Sequence, residues 1–180
     1  CKLAKNLEEF RNKRTGNSLS APILSAEDEL GLCLFFNSVN FCYRDPSSGW
    51  EYAYLSHDGR RFKRSSALFA ALAESGLCWN HIDQVSGLAP DHWREILQLE
   101  EPNVLYLGME RYKRITGLAE FLQKRNLKTI MDLVTASYND VLNLVQILIS
   151  SGFFEDEFLK RAQVAIKMMN SVLAARMGYS

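Results

Sequence analysis

The stretch "AEDELGLCLFFNSVN", Ala26 to Asn40, decides the fold. Ser25 precedes it and Asp28 follows three residues later, the spacing of a capping box, in which a hydroxyl and a carboxylate satisfy N–H groups at a helix start. From Leu30 onward the apolar residues nearly surround the helix instead of lining one stripe. A helix that is apolar on all sides is buried on all sides, so this segment predicts a central helix with the other elements around it.

Upstream, "LAKNLEEFRNKRTG" puts Leu3, Leu7 and Phe10 on one helical face and stops at Gly16, which predicts an amphipathic helix, and "SLSAPILS" predicts a loop. Downstream, "WEYAYLSHDGRRFKR" alternates aromatic residues up to Asp58-Gly59 and resumes at Phe62. Asp-Gly suits a turn with positive φ, so this is a hairpin. Four further helical patterns cover Ser65 to Ser75, Pro90 to Leu99, Val104 to Arg125, and Thr129 to Ile149, the last broken near Tyr138-Asn139-Asp140. Pro90 and Pro102 sit near helix starts, where a missing N–H does no harm. A final helix runs from about Asp156 to Arg176, with Leu159, Ala162, Ile166, Met169 and Leu173 as its inner stripe. No repeat or linker divides the chain of 180 residues. Residues 1–180 therefore predict one helical domain, mainly α, with one small β-hairpin.

Lys plus Arg and Asp plus Glu both number 21, giving no net charge. A duplex-binding protein needs surplus positive charge to release counterions, so stable DNA binding is not expected. Charge interrupts every apolar run before membrane-spanning length, and no signal-peptide pattern opens the sequence, so a soluble protein without membrane partners is expected. The chain begins at Cys1 rather than Met, so its true start is expected upstream. The four cysteines lack metal-site spacing. Cys33 and Cys42 lie in an apolar run and are expected to be buried thiols, which fits a reducing cytoplasm. His57, His81 and His92 are expected at surface or capping positions. No metal and no cofactor are expected.

Three stretches are candidates for chemistry. In "NSVNFCYRDPSSGW", Phe41 and Tyr43 either form a pocket that stacks a planar base or pack under the hairpin. In "MERYKRITGLAEFLQKR", Arg111, Lys113, Arg114, Lys124 and Arg125 either hold a phosphate or, the reading preferred here, form a solvated face balanced by Glu110 and Glu120. In "SGFFEDEFLKRAQ", Asp156 lies near the start of the last helix, where the helix dipole and free N–H groups keep a carboxylate ionised. Lys160 follows four residues on, with Arg161 beside it, so an anionic substrate could be held near that carboxylate.

"NSVNFCY", "SALFAALAESG", "MERYKRITGLAEFL" and "FFEDEFLKRAQ" follow one another in the order and approximate spacing of the queuosine salvage proteins. The chain resembles that family from roughly Glu27 to its end. The resemblance implies a fold related to the helix-hairpin-helix DNA glycosylases. The implied activity is hydrolysis of the N-glycosidic bond of queuosine 5′-monophosphate, releasing queuine for transfer-RNA modification. The family's Phe-x-Asp element falls on Phe154, implied to contact the base, and Asp156, implied to be the catalytic carboxylate. Lys160 or Arg161 would meet the 5′-phosphate. The family's Ala-Asp-Tyr-Arg segment and C-terminal Asp-Tyr pair have no counterpart before Ser180, and "SLSAPILS" lacks the family's upstream histidine. A C-terminally incomplete queuosine salvage domain is expected. The alternative is a non-catalytic helical relative that binds a nucleoside or a protein and has lost part of the site.

Overall fold

A computed structural model describes residues 24–99, 105–138, 140–154 and 160–178, with the side chain of residue 160 left out. The segments carrying the expected first helix, Pro102, Asp156 and Leu159 lie outside the described residues. In chain order the elements are α1 (Ala26–Ser38), β1 (Ala53–Leu55), β2 (Arg61–Lys63), α2 (Arg64–Ala73), α3 (Ile82–Ser86), α4 (Pro90–Ile96), α5 (Gly108–Lys124), α6 (Ile130–Ala136), α7 (Val141–Ser150) and α8 (Lys160–Met177). The described residues are thus mainly helical with one two-stranded antiparallel hairpin.

The central position of α1 follows from its composition. Ser25 Oγ accepts from the Asp28 N–H at 2.9 Å, starting the helix, and every residue from Glu29 to Ser38 is buried. Helices α2, α5, α6 and α8 all pack on α1, with α8 making the most extensive contact. Leu30, Leu32, Leu34 and Phe35 lose all their exposed surface. Each such side chain contributes about 1.5–3 kcal/mol, so α1 supplies a large part of the hydrophobic stabilisation. Facing it on α8, Ala162, Ala165, Ile166, Met168, Met169 and Val172 are buried, a broader face than the stripe expected. At the far end Arg176 donates to Glu29 at 2.6 Å and to the Leu24 carbonyl, clamping the C-terminal part of α8 to the start of α1.

The hairpin pairs Ala53 with Lys63, Tyr54 with Phe62 and Leu55 with Arg61. Gly59 adopts φ +80°, the left-handed backbone that the Asp-Gly turn requires. An isolated bridge between Arg44 and Glu51 extends the pairing, so the chain leaving α1 runs beside the residues entering β1. The Gln98 side-chain amide covers Leu55, accepting from its N–H at 3.3 Å and donating to its carbonyl at 3.0 Å. An otherwise open strand edge is thereby closed by a side chain.

Several boundaries differ from expectation. Helix α4 ends at Ile96, because the chain turns through positive φ at Gln98 to reach the strand edge. Helix α5 starts at Gly108, after Leu107 in a left-handed conformation. The segment from Thr129 breaks around Tyr138, whose φ of +55° cannot continue a helix. The short α3 was not anticipated from the sequence. Its start is held by main-chain pairing, Ile82 N–H to the Lys128 carbonyl at 3.0 Å and Ile130 N–H to the Asn80 carbonyl at 3.0 Å. His57, His81 and His92 are exposed, as expected. Cys33 is buried but Cys42 is exposed. The helix has ended by Val39, and the backbone then turns through positive φ at Cys42, which leaves Phe41 and Tyr43 packed on the protein and Cys42 facing out.

Gly31 tests the packing. A Cβ there would stand 2.1 Å from the Trp79 carbonyl oxygen, and the fully buried Trp79 is itself held by its Nε1–H bond to the Leu72 carbonyl at 2.9 Å. Gly31→Ala should therefore destabilise the chain by about 2–3 kcal/mol, read as a lower urea midpoint. Gly117→Ala should cost less, because its Cβ would meet the tip of the Phe153 ring, which can swing aside. Equal midpoints for the two variants would show that α1 is not pressed against that carbonyl.

Candidate active site

A helix ends with carbonyls that have no partner within it. At the end of α1 they are met by a side chain from α5. Arg111 donates through Nη1 to the Val39 carbonyl, through Nη2 to the carbonyls of Phe41 and Cys42, the latter at 2.6 Å, and through Nε to the Tyr106 carbonyl at 3.2 Å. Its side chain is fully buried. Among the described residues its hydrogen-bond acceptors are all neutral, and the charge is balanced by carbonyl dipoles at the negative end of α1. Burial pushes its pKa down to about 10, with Arg114 and Arg161 adding to the fall and Tyr43 and Cys42 opposing it, so it is charged at neutral pH.

The same guanidinium stacks on two rings, 4.3 Å from the centroid of Phe41 and 5.0 Å from that of Tyr43. Two more arginines converge on Phe41: Arg114 at 5.2 Å and Arg161 at 5.3 Å. Each is within the range in which a cation is attracted by a ring face. They come from different places, Arg114 from the second turn of α5 and Arg161 from the first turn of α8. Arg114 is oriented by Glu110 at 3.1 Å and by the Phe153 carbonyl at 3.4 Å, and Arg161 by the Ser38 carbonyl at 3.2 Å. The end of α1, the start of α5 and the α7–α8 corner thus meet around one aromatic ring.

Of the residues singled out in the sequence, Phe41 stands at the centre of this cluster, half-buried. Tyr43 lies beside it; its hydroxyl donates to Asn40 Oδ1 at 2.6 Å, and burial raises its pKa, so the phenol is neutral at neutral pH. Arg161 joins the ring. Lys160 opens α8, with its side chain outside the described residues. Phe154 is fully buried within the core. Asp156 lies outside the described residues. Among those residues, no cluster of His, Cys, Asp and Glu is arranged to hold a metal, and no helix is long and apolar enough to cross a membrane.

The charged face of α5 divides. Lys113, Lys124 and Arg125 are exposed, as a solvated face requires, but Arg111 is not part of that face. It continues the buried stripe of Ile115, Leu118 and Leu122, at spacings of four, seven and eleven residues. That register was the available signal: an arginine on the apolar stripe of an amphipathic helix is directed inward.

Arg111→Met should cost about 3 kcal/mol or more, because four carbonyls lose a charged donor at once. Arg111→Lys should recover little of that loss, since a point charge cannot span acceptors that a planar fork spans. Urea unfolding followed by circular dichroism gives both values, and a lysine variant as stable as the parent would contradict the bonding pattern. No protein-family model matches the chain, and no curated protein is significantly similar to it.

Proposed function

We propose that the protein hydrolyses the N-glycosidic bond of queuosine 5′-monophosphate. The observation that carries this reading is the Phe41 ring with three guanidinium groups within 4.3–5.3 Å. A nucleotide presents a planar base and a dianionic phosphate, and a ring flanked by arginine forks has a complementary surface for each. The Phe41 ring is half-buried, whereas Phe154 is enclosed in the core.

Cleavage of an N-glycoside develops positive charge on the sugar, and a carboxylate beside it lowers the barrier most where water is excluded. The sequence supplies Asp156 for this task, two residues after Phe154 and five before Arg161. Its carboxylate either stabilises that charge, attacks the sugar carbon, or orients water. The clustered cations favour the anionic end of the substrate and would also raise the local concentration of a nucleotide over its nucleoside.

Incubating the purified protein with queuosine 5′-monophosphate and separating the products by chromatography tests the reading directly. Free queuine is expected, and Asp156→Asn should cut its rate of release by a factor of about 100 or more while leaving nucleotide binding within a few-fold. Binding without release by the parent chain would instead identify a nucleotide-binding relative that has lost catalysis. Release by the asparagine variant at the parental rate would remove Asp156 from the mechanism.

A further inference from the structure

The two outer edges of the hairpin differ. Bonds from the Ser56 N–H to the Arg60 carbonyl and from the Arg64 N–H to the Tyr52 carbonyl, each 2.9 Å, fix the phase of the ladder. Tyr54 and Phe62 therefore exchange the bonds between them, while Leu55, Arg61 and Lys63 direct their main-chain groups away from the partner strand. At Leu55 both outward groups are met by the Gln98 amide. On the β2 side the Lys63 carbonyl accepts from Ser66 Oγ at 2.7 Å. The N–H and carbonyl of Arg61 and the N–H of Lys63 meet no partner among the described residues.

The face beside that open edge is strongly positive. Side chains alternate along the strands, so Tyr52 and Tyr54 are buried while Leu55, Arg61 and Lys63 are exposed on the outer side. Glu51 is held below the usual carboxylate range first by its hydrogen bond from Arg64, with the charges of Arg64, Arg44 and Lys63 adding to the effect. Arg61 lies two residues from Lys63 on the same face, and among the described residues neither forms an ion pair. Four cations thus stand against one carboxylate, in a chain with no net charge.

Edge and charge together select the partner. A nucleic-acid strand would meet the cations but leave the main-chain groups of β2 unpaired. A second copy of β2 would set Arg61 and Lys63 against their own kind, and like charges directly opposite destabilise a strand pair. An extended peptide with acidic side chains at alternate positions satisfies both, its backbone continuing the ladder and its carboxylates facing Arg61 and Lys63.

We propose that the outer edge of β2 is a docking site for an acidic segment of another protein, which adds to the hairpin as a third strand. The apolar side chains between its carboxylates lie on the side of the half-buried Phe62 ring. This site is independent of the nucleotide reading above.

A short fluorescein-labelled peptide of alternating glutamate and valine is the probe, titrated with the full chain at low salt and followed by anisotropy. Saturable binding is expected, weakened about tenfold or more in the double variant Arg61→Glu with Lys63→Glu, which should instead bind a lysine–valine peptide. Both side chains are exposed, and circular dichroism verifies folding. Lys124→Glu, which changes an exposed cation on α5, should leave the affinity within twofold. Methylating every second peptide amide removes donors from one edge of the added strand only. One phase of methylation should weaken binding about tenfold or more and the other should leave it within threefold. Absence of saturable binding, unchanged affinity in the double variant, or equal binding of the two methylated peptides would overturn the proposal. So would an oligonucleotide of equal negative charge that binds the parent chain as tightly and loses affinity in the same double variant.

Discussion

The buried guanidinium of Arg111 is the interaction on which the rest of the site depends. Helix α1 is apolar enough to fix its own place, but its C-terminal carbonyls would be left in a dry interior with nothing to bond. One arginine satisfies the C-cap carbonyl of Val39 and two carbonyls of the chain just beyond it. In doing so it ties the exit of α1 to the start of α5. Because those same residues carry the Phe41 and Tyr43 side chains, closing the helix end also sets two aromatic rings against the cation.

This arrangement links core packing to chemistry. The chain beyond α1 passes through positive φ at Cys42, a conformation that a cysteine adopts only at a cost, and the Arg111 bonds on either side help offset it. At the opposite end of α1, Arg176 and Glu29 form a second clamp with α8. With α8 clamped to the start of α1 and Arg161 bonded to the end of α1, the helix that carries Arg161 has little freedom to move it away from Phe41.

The sequence was informative where local pattern and tertiary outcome agree. The all-round apolar character of Ala26 to Asn40, the Asp58-Gly59 turn and the break at Tyr138 each follow from short-range rules, and each is found in the structure. The stop of α4 at Ile96 was not legible, because it is imposed by Gln98 reaching a strand more than forty residues away in sequence. The site was only half legible. Phe41, Tyr43 and Arg161 could be named from their types and neighbours, but their convergence could not. Arg111 is buried where its charge predicts a solvated face: with Glu110 before it and Lys113 two residues on, it looks exposed, and only its register with Ile115, Leu118 and Leu122 directs it inward. Three of its four acceptors lie some seventy residues upstream, and no local rule connects them.

The distribution of charge bears on the proposed nucleotide reading. The chain as a whole is neutral, yet three cations crowd around one ring. A protein that follows a nucleic-acid backbone spreads its positive side chains along a stripe so that successive phosphates are met in turn. Here the positive groups of α5 are divided: Lys113, Lys124 and Arg125 face solvent, while Arg111 and Arg114 turn toward Phe41 and meet Arg161 from α8. Concentrating charge at one point suits a ligand with a single phosphate and a flat ring, and it offers little to the next phosphate of a polymer. The proposed mononucleotide ligand would use that concentration, presenting its one phosphate and its one flat ring to a single cluster.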